Sequence, residues 1–131
     1  MLNLGMWEIM LDQDEINWLH QLYQENHLIK RDNYNNFTYI GCPAFKTLIY
    51  ITPNGDVTPC PFIHISFGNL LESSLEDIVA RARKYEFFRD FKQPPVCLAG
   101  EDREFIEKYL TKTFGKDKKL PVPYKEVFPD I

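Results

Sequence analysis

A hairpin signal in the middle of the chain constrains the fold more than any other feature of this sequence. Residues 47–52 are rich in β-branched and aromatic side chains, residues 53–56 interrupt that run, and Val57-Thr58 resume it. Asn-Gly between two such runs predicts a two-residue type I′ turn, because that turn needs positive φ at both central positions. The sequence therefore predicts an antiparallel hairpin that turns at Asn54-Gly55.

The predicted register sets a condition on the cysteines that flank the hairpin. With Asn54-Gly55 as the turn, Ile49 pairs with Cys60. Cys42 would lie about 23 Å from Ile49 along a straight strand, at about 3.3 Å per residue. Two ligands of one metal centre lie within a few ångströms of each other, so a shared centre requires the chain after Cys42 to fold back. Gly41 and Pro43 favour such a bend.

Helical patterns on both sides of the hairpin complete the predicted fold. The first helix begins after Asp12, with Glu15 placed for a capping box. The second is capped by Ser74 and stopped by the prolines of residues 93–95. The third spans residues 101–114. The prediction is an α+β domain, in which a central hairpin, as a small antiparallel sheet, is flanked by helices.

Charge and hydropathy remove several classes of function. The 131 residues carry 15 basic and 19 acidic side chains, a net charge of -4. This balance gives no electrostatic basis for binding nucleic acid or an anionic membrane. No apolar run reaches the length needed to span a bilayer, and the first residues lack the pattern of a signal peptide. We expect a cytoplasmic protein. In that compartment its cysteines are expected to be reduced thiols or metal ligands rather than disulfides.

The cysteines are the strongest candidates for chemistry. Cys42, Cys60 and Cys97 all fall in predicted loops or at element ends, and the amides of a following helix start would favour a thiolate at Cys97. Three thiolates suit an iron–sulfur cluster with one iron left for another ligand. They also suit a Cys3His zinc site with His64 as the fourth ligand. The plainer alternative is that the cysteines are small buried hydrophobic residues.

Other candidate residues have simpler interpretations. We expect His20 and His27 at the surface, and Glu101 and Asp102 as charges that favour a helix N-terminus rather than a catalytic pair. The aromatic residues within 85–91 are expected to be core. The sequence contains no Ser/His/Asp arrangement, phosphate loop or HExxH motif.

The run GCPAFKTLIYITPNGDVTPCPF, residues 41–62, resembles the C-terminal extension of radical S-adenosylmethionine proteins, of the SPASM or twitch type. In that family a cysteine precedes a hairpin with a Gly-Asp turn. A Pro-Cys-Pro follows, here at residues 59–61, and then a Gly-Asn and a short helix, here at residues 68–69 and 74–78. The resemblance covers roughly residues 40–110.

The resemblance implies that Cys42 and Cys60 ligate an auxiliary [4Fe-4S] cluster, with Cys97 as the third ligand. His64 is a candidate for the fourth. The full SPASM pattern has more cysteines and two clusters, so three cysteines imply at most one cluster, as in the twitch type. The CxxxCxxC motif and the barrel of these enzymes are missing. The chain is therefore expected not to cleave S-adenosylmethionine alone, and that cofactor would belong to the parent enzyme.

The resemblance also gives a domain plan and partners. Residues 1–39 would be a linker or helical remnant of the barrel region, residues 40–115 the cluster-binding domain, and residues 116–131 an extended tail. The expected partners are a radical S-adenosylmethionine barrel, in cis or in trans, and a peptide or small-molecule substrate. The expected role is substrate positioning or electron transfer. The alternative is a zinc-stabilised or metal-free protein-interaction domain that kept the fold.

Overall fold

The computed structural model describes residues 11–26, 28, 41–92 and 96–129. In this part of the chain the helices are α1 (Gln13–Glu25), α2 (Leu75–Ala82), α3 (Glu86–Arg89) and α4 (Arg103–Lys108), with 3-10 helices at Leu110–Thr113 and Tyr124–Glu126. The strands are β1 (Tyr50–Ile51), β2 (Val57–Thr58), β3 (Ile65–Ser66) and β4 (Val122–Pro123). The α+β class is confirmed. His27 and the prolines of 93–95 lie outside the described residues.

The hairpin forms as predicted, but its register is not the predicted one. β1 and β2 are antiparallel, with Tyr50 opposite Thr58 and Ile51 opposite Val57. The proposed pairing of Ile49 with Cys60 is therefore wrong by one residue. The chain turns through a longer loop than a two-residue turn.

The loop chemistry explains the shift in register. The Gly55 amide donates to the Thr52 carbonyl, and the Thr52 amide donates to the Asp56 carbonyl, each at 2.9 Å. Gly55 has φ +88°, whereas Asn54 has no positive φ. Proline fixes φ near −65°, which suits the first central position of a type I turn. Pro53 therefore selects a three-residue loop, which ends in a left-handed glycine, over the type I′ turn.

The second strand is the buried one, and it carries the rest of the fold. Val57 and Phe67 are fully buried, and Val57 exchanges backbone hydrogen bonds of 2.9 Å with Gly68 and Phe67. β4 then pairs in parallel with β3, with Val122 opposite Ile65. The hairpin thus leads into a small layered core.

The segment predicted as an extended tail packs against this core. It is extended at β4 and then turns through the 3-10 helix Tyr124–Glu126. Val127 and Phe128 beyond it are 1% and 3% exposed. Burial of these apolar side chains removes them from water, which favours docking over a free tail.

Aromatic rings fill the centre of the core. Phe67 has ring centroids of Phe45, Phe88 and Tyr124 within 5.3 Å, the first two edge-on and the last stacked. Edge-on and offset arrangements are those that aromatic quadrupoles favour. The prediction that the aromatic residues of 85–91 are core holds for Phe88, which is fully buried, but not for Phe91, which is 39% exposed.

Helix caps agree with the sequence signals at two of three helices. Asp12 and Glu15 form the capping box of α1, and the Ser74 hydroxyl caps α2. The third predicted helix is shorter than expected: α4 starts only after Asp102, whose carboxylate accepts from the Phe105 amide at 3.0 Å. Among the described residues, no helix is both long enough and apolar enough to span a membrane.

Candidate metal centre

The chain after Cys42 folds back, as a shared metal centre requires. The Pro43 carbonyl accepts from the amides of Lys46, Thr47 and Leu48 at 2.9–3.0 Å. The Phe45 amide donates a hydrogen bond of 2.8 Å to the Leu48 carbonyl. Cys42 itself is 8% exposed.

Two cations hold this turn in place. Phe45 has φ +55°, a strained conformation for a non-glycine residue. The Arg83 guanidinium, from the end of α2, donates to the Phe45 and Lys46 carbonyls at 2.9 and 3.0 Å. The Lys46 ammonium donates to the Cys42 carbonyl at 3.1 Å and to the Phe87 carbonyl at 2.8 Å. The turn that presents Cys42 is thus tied to the helical side of the domain.

Cys60 heads a tight turn that ends at Ile63. The Ile63 amide donates to the Cys60 carbonyl at 3.4 Å, and the amides of Phe62 and Ile63 both donate toward the Cys60 sulfur. These donors favour the thiolate and lower its pKa. Burial acts in the opposite direction and is the largest cause, so the pKa of the Cys60 thiol is raised to about 11.

Cys97 heads a second turn of the same kind. The Cys97 carbonyl accepts from the Glu101 and Asp102 amides at 2.8 and 3.0 Å, and the Cys97 amide donates to the Glu101 carboxylate at 2.7 Å. The amides of Gly100 and Ala99 donate toward the sulfur. The expectation of a thiolate favoured by a helix start is not met, because burial raises the Cys97 pKa more than these amides lower it.

The three sulfur atoms share one electrostatic neighbourhood. Burial is the largest cause that raises the pKa of Cys60 and of Cys97. Negative charge on Cys42 also raises both pKa values, and negative charge on Cys97 raises that of Cys60. All three thiols are free rather than joined in a disulfide. Cys42 and Cys60 are buried in the same core cluster and Cys97 packs against it, so the fold places all three cysteines in one region of the core.

The donors present suit an iron–sulfur group. Iron–sulfur clusters are held by cysteine thiolates, and hydrogen bonds to the sulfurs tune them. Here two of the three sulfurs face a pair of backbone amides, which is what an anionic ligand sulfur needs in a buried site. Within residues 11–26, 28, 41–92 and 96–129, no three or more His, Cys, Asp or Glu side chains are arranged as a ready site for a metal ion.

His64, the candidate for the fourth ligand, differs from the three cysteines in the exposure of its side chain. Its side chain is exposed, while its carbonyl accepts from the Val122 amide at 2.9 Å. The structure thus fixes its backbone through the β3–β4 pair. Its role as a fourth ligand stays a prediction.

Several residues near Cys97 have roles that the sequence did not indicate. His20 of α1 lies 3.6 Å from the Glu101 carboxylate, and its side chain is 37% exposed. Glu101 binds the Cys97 amide rather than serving a helix dipole. Asp102 caps α4 and pairs with Lys92 at 2.8 Å. Of these roles, only that of Asp102 is close to the sequence prediction, which placed its charge at a helix N-terminus.

A pocket of about 720 Å³ opens beside Cys42. Phe87, Phe91 and Phe105 supply apolar parts of its wall, and Lys46 and Asp102 are among its charged residues. One of the three candidate ligands therefore borders a space large enough for a small molecule or a peptide side chain.

Comparison with known families agrees with the geometry. The SPASM family model, described as an iron-sulfur cluster-binding domain, matches residues 42–99. No curated protein and no solved structure matches the chain. The matched range begins at Cys42 and includes Cys60 and Cys97. Residues 42–99 thus match the model of the SPASM family of iron–sulfur cluster-binding domains.

Proposed function

We propose that this domain binds one [4Fe-4S] cluster through Cys42, Cys60 and Cys97, as the auxiliary module of a radical S-adenosylmethionine enzyme. The observation that carries the proposal is that Cys42 and Cys60 are buried in one core cluster against which Cys97 packs, with Cys60 and Cys97 each at the head of a backbone turn. The SPASM match over residues 42–99 supports the type of cofactor. When bound, such a cluster supplies a one-electron carrier or an iron site for a substrate atom.

The protein's own residues define how the cluster would be held. Cys42 and Cys60 are each 8% exposed, so two of the three ligands are shielded from water. Metal ligation requires thiolates, and a buried thiol with a pKa near 11 must release its proton as it binds. The pocket beside Cys42 offers a path between this region and a substrate. Positioning of that substrate, or electron transfer to it, is the proposed role.

The parent assembly is also part of the proposal. A radical S-adenosylmethionine barrel, joined in cis or bound in trans, would supply the reactive radical. This chain would then contribute the auxiliary cluster and part of the substrate cavity, in the cytoplasm.

A second candidate is a zinc-stabilised or metal-free interaction domain. Aromatic rings pack around Phe67 in the core, and Leu70, Leu71 and Leu75 are exposed within a stretch of six residues. Leu71 is 89% exposed, which is unusual for a large apolar side chain unless it meets a partner.

Anaerobic reconstitution of the purified chain with iron and sulfide separates the two candidates. We expect a brown protein with broad visible absorption and about four irons per chain. Cys42→Ala, Cys60→Ala and Cys97→Ala should each lower the retained iron by more than half, while His64→Ala tests the fourth position. Apo-protein melting curves for every variant show whether the fold survives. A colourless wild-type chain with one zinc would instead establish the second candidate.

A further inference from the structure

Lys46 occupies an unusual position for a lysine, against the turn that presents a candidate cluster ligand. Its ammonium donates to the Cys42 carbonyl at 3.1 Å and to the Phe87 carbonyl at 2.8 Å. It also lies 5.3 Å from the centroid of the Phe91 ring, within the range of a cation–π contact. The side chain is only partly exposed. The amine is thus fixed at one place rather than sampling solvent.

Within the part of the chain that the structure describes, no carboxylate pairs with this ammonium. Two acidic residues of the pocket are engaged elsewhere: Asp90 pairs with Arg89 and Asp102 with Lys92, both at 2.8 Å. Across the described residues, Lys46 forms no ion pair within salt-bridge distance. Fixing a partly buried cation without a direct counter-ion is costly, so a negative charge near Cys42 is the expected complement.

We infer that Lys46 is a positioning residue that raises the reduction potential of the cluster bound at Cys42. The inference rests on the proposed cluster and concerns what this side chain does to it. Adding one electron to a cluster makes it more negative, and a fixed positive charge nearby stabilises the reduced form more than the oxidised one. Net charge and hydrogen bonding around a cluster are the means by which proteins set its potential. The same ammonium also holds the turn, through the Cys42 carbonyl.

The test compares variants that separate charge from tethering. Lys46→Met keeps the length of the side chain and removes both charge and donor. Lys46→Gln removes the charge but keeps a donor, and Lys46→Arg keeps both. Lys125→Met is the matched control, because it changes the net charge equally at an exposed residue that does not line the pocket of Cys42. Each chain is reconstituted anaerobically, and the midpoint potential of the loaded fraction is measured by dye-mediated titration with spectroscopic detection.

We expect Lys46→Met and Lys46→Gln to shift the midpoint to more negative values. The reduced-to-oxidised ratio at a fixed potential should fall about tenfold, which is 59 mV for a one-electron couple. Lys46→Arg should keep the midpoint potential close to that of the wild type. Lys125→Met should leave the midpoint potential unchanged.

Two results would overturn the inference. One is an unchanged midpoint in Lys46→Met and Lys46→Gln at full iron content. The other is a lower iron content with an unchanged midpoint in the fraction that loads, which would make Lys46 a structural tether only. A wild-type chain that binds no iron refutes the proposed function itself, and is distinguished from both results because it appears before any variant is compared.

Discussion

At the scale of single residues, the centre of this domain is a balance between burial and backbone amides. Cys60 and Cys97 each face two amides that favour a thiolate, yet burial raises both pKa values. Without a metal the thiols are therefore protonated near neutral pH. A bound cation changes this balance, because a coordinating thiol loses its proton outright. The amides are then already placed for the ligated state.

The raised pKa of Cys60 predicts how the stability of the apo-domain depends on pH. The unfolded thiol ionises near 9.0, whereas the folded one holds its proton to about 11. The stabilisation that the folded chain gains by keeping this proton is fully present below pH 9. It is lost as the pH rises from 9 to 11. Two pKa units correspond to at most about 3 kcal/mol. Urea unfolding of the metal-free chain between pH 8 and 11, compared with Cys60→Ala, measures this loss.

Other groups also ionise in that range, so the difference between the two proteins is the quantity to follow. The wild-type chain should lose more of its free energy of unfolding than Cys60→Ala does as the pH rises. Parallel profiles would show that the Cys60 thiol ionises alike in the folded and unfolded chains.

At the scale of elements, short turns do most of the positioning. β1 and β2 contain only two residues each, so the loop between them sets the register as much as strand pairing does. The Asn69 side chain fastens that loop, since its amide donates to the Asn54 carbonyl at 2.9 Å. Cys60 lies two residues after the end of β2, so the register of the hairpin also sets where this candidate ligand lies.

Gly55→Ala is predicted to destabilise the hairpin. Gly55 has φ +88°, and an added Cβ would lie 3.0 Å from the Asn69 Oδ1. A left-handed conformation costs a residue with a Cβ about 1–2 kcal/mol, which is the expected loss in the free energy of unfolding. Gly100→Ala is the matched control, because that glycine has no positive φ and its nearest contact for a Cβ is 3.7 Å. Equal unfolding midpoints for the two apo-variants in urea would contradict this account of the loop.

The cap of α2 gives a second test at this scale. The Ser74 hydroxyl accepts from the Asp77 amide at 3.1 Å, so Ser74→Ala should lower the free energy of unfolding by about 1 kcal/mol. Ser73→Ala is the control, because it makes the same serine-to-alanine change one residue before the cap position. Chemical denaturation of both variants measures the difference. A cost as large for Ser73→Ala would show that the loss does not come from capping.

At the scale of the whole molecule, the C-terminal segment closes the core. The Phe128 ring lies 4.9 Å from Tyr109, 5.0 Å from Tyr85 and 5.7 Å from Phe67, so one side chain joins three parts of the chain. The Tyr85 hydroxyl also donates to the Pro129 carbonyl at 3.0 Å. Docking of this segment is therefore part of the domain's stability.

Phe128→Ala is predicted to cost about 3–5 kcal/mol, because it opens a cavity at the meeting point of these rings. Phe128→Leu keeps part of the volume and should cost less, which retains a measurable variant if the first does not fold. Leu120→Ala changes a side chain that is 49% exposed in the same segment and should have little effect. Thermal unfolding of the apo-proteins gives the order. A melting temperature for Phe128→Leu equal to that of the wild type would show that the segment docks without supporting the core.

The sequence by itself determined the local structure and the identity of the candidate ligands. The hairpin, the capping box at Asp12 and the cap at Ser74 were predictable, because turns and caps depend on residues within a few positions of one another. The cysteines were recognisable by their order around the hairpin. Even here the fixed φ of Pro53 competes with the Asn-Gly preference and moves the register by one residue.

Only the tertiary structure decided how those pieces meet. The parallel pairing of β3 with β4, the docking of Phe128 and the contact of His20 with Glu101 join residues far apart in the chain. The charge coupling of the three thiols and the Lys46 tether arise in the same way. Such contacts depend on burial and ring packing summed over the whole core, and no local pattern encodes them.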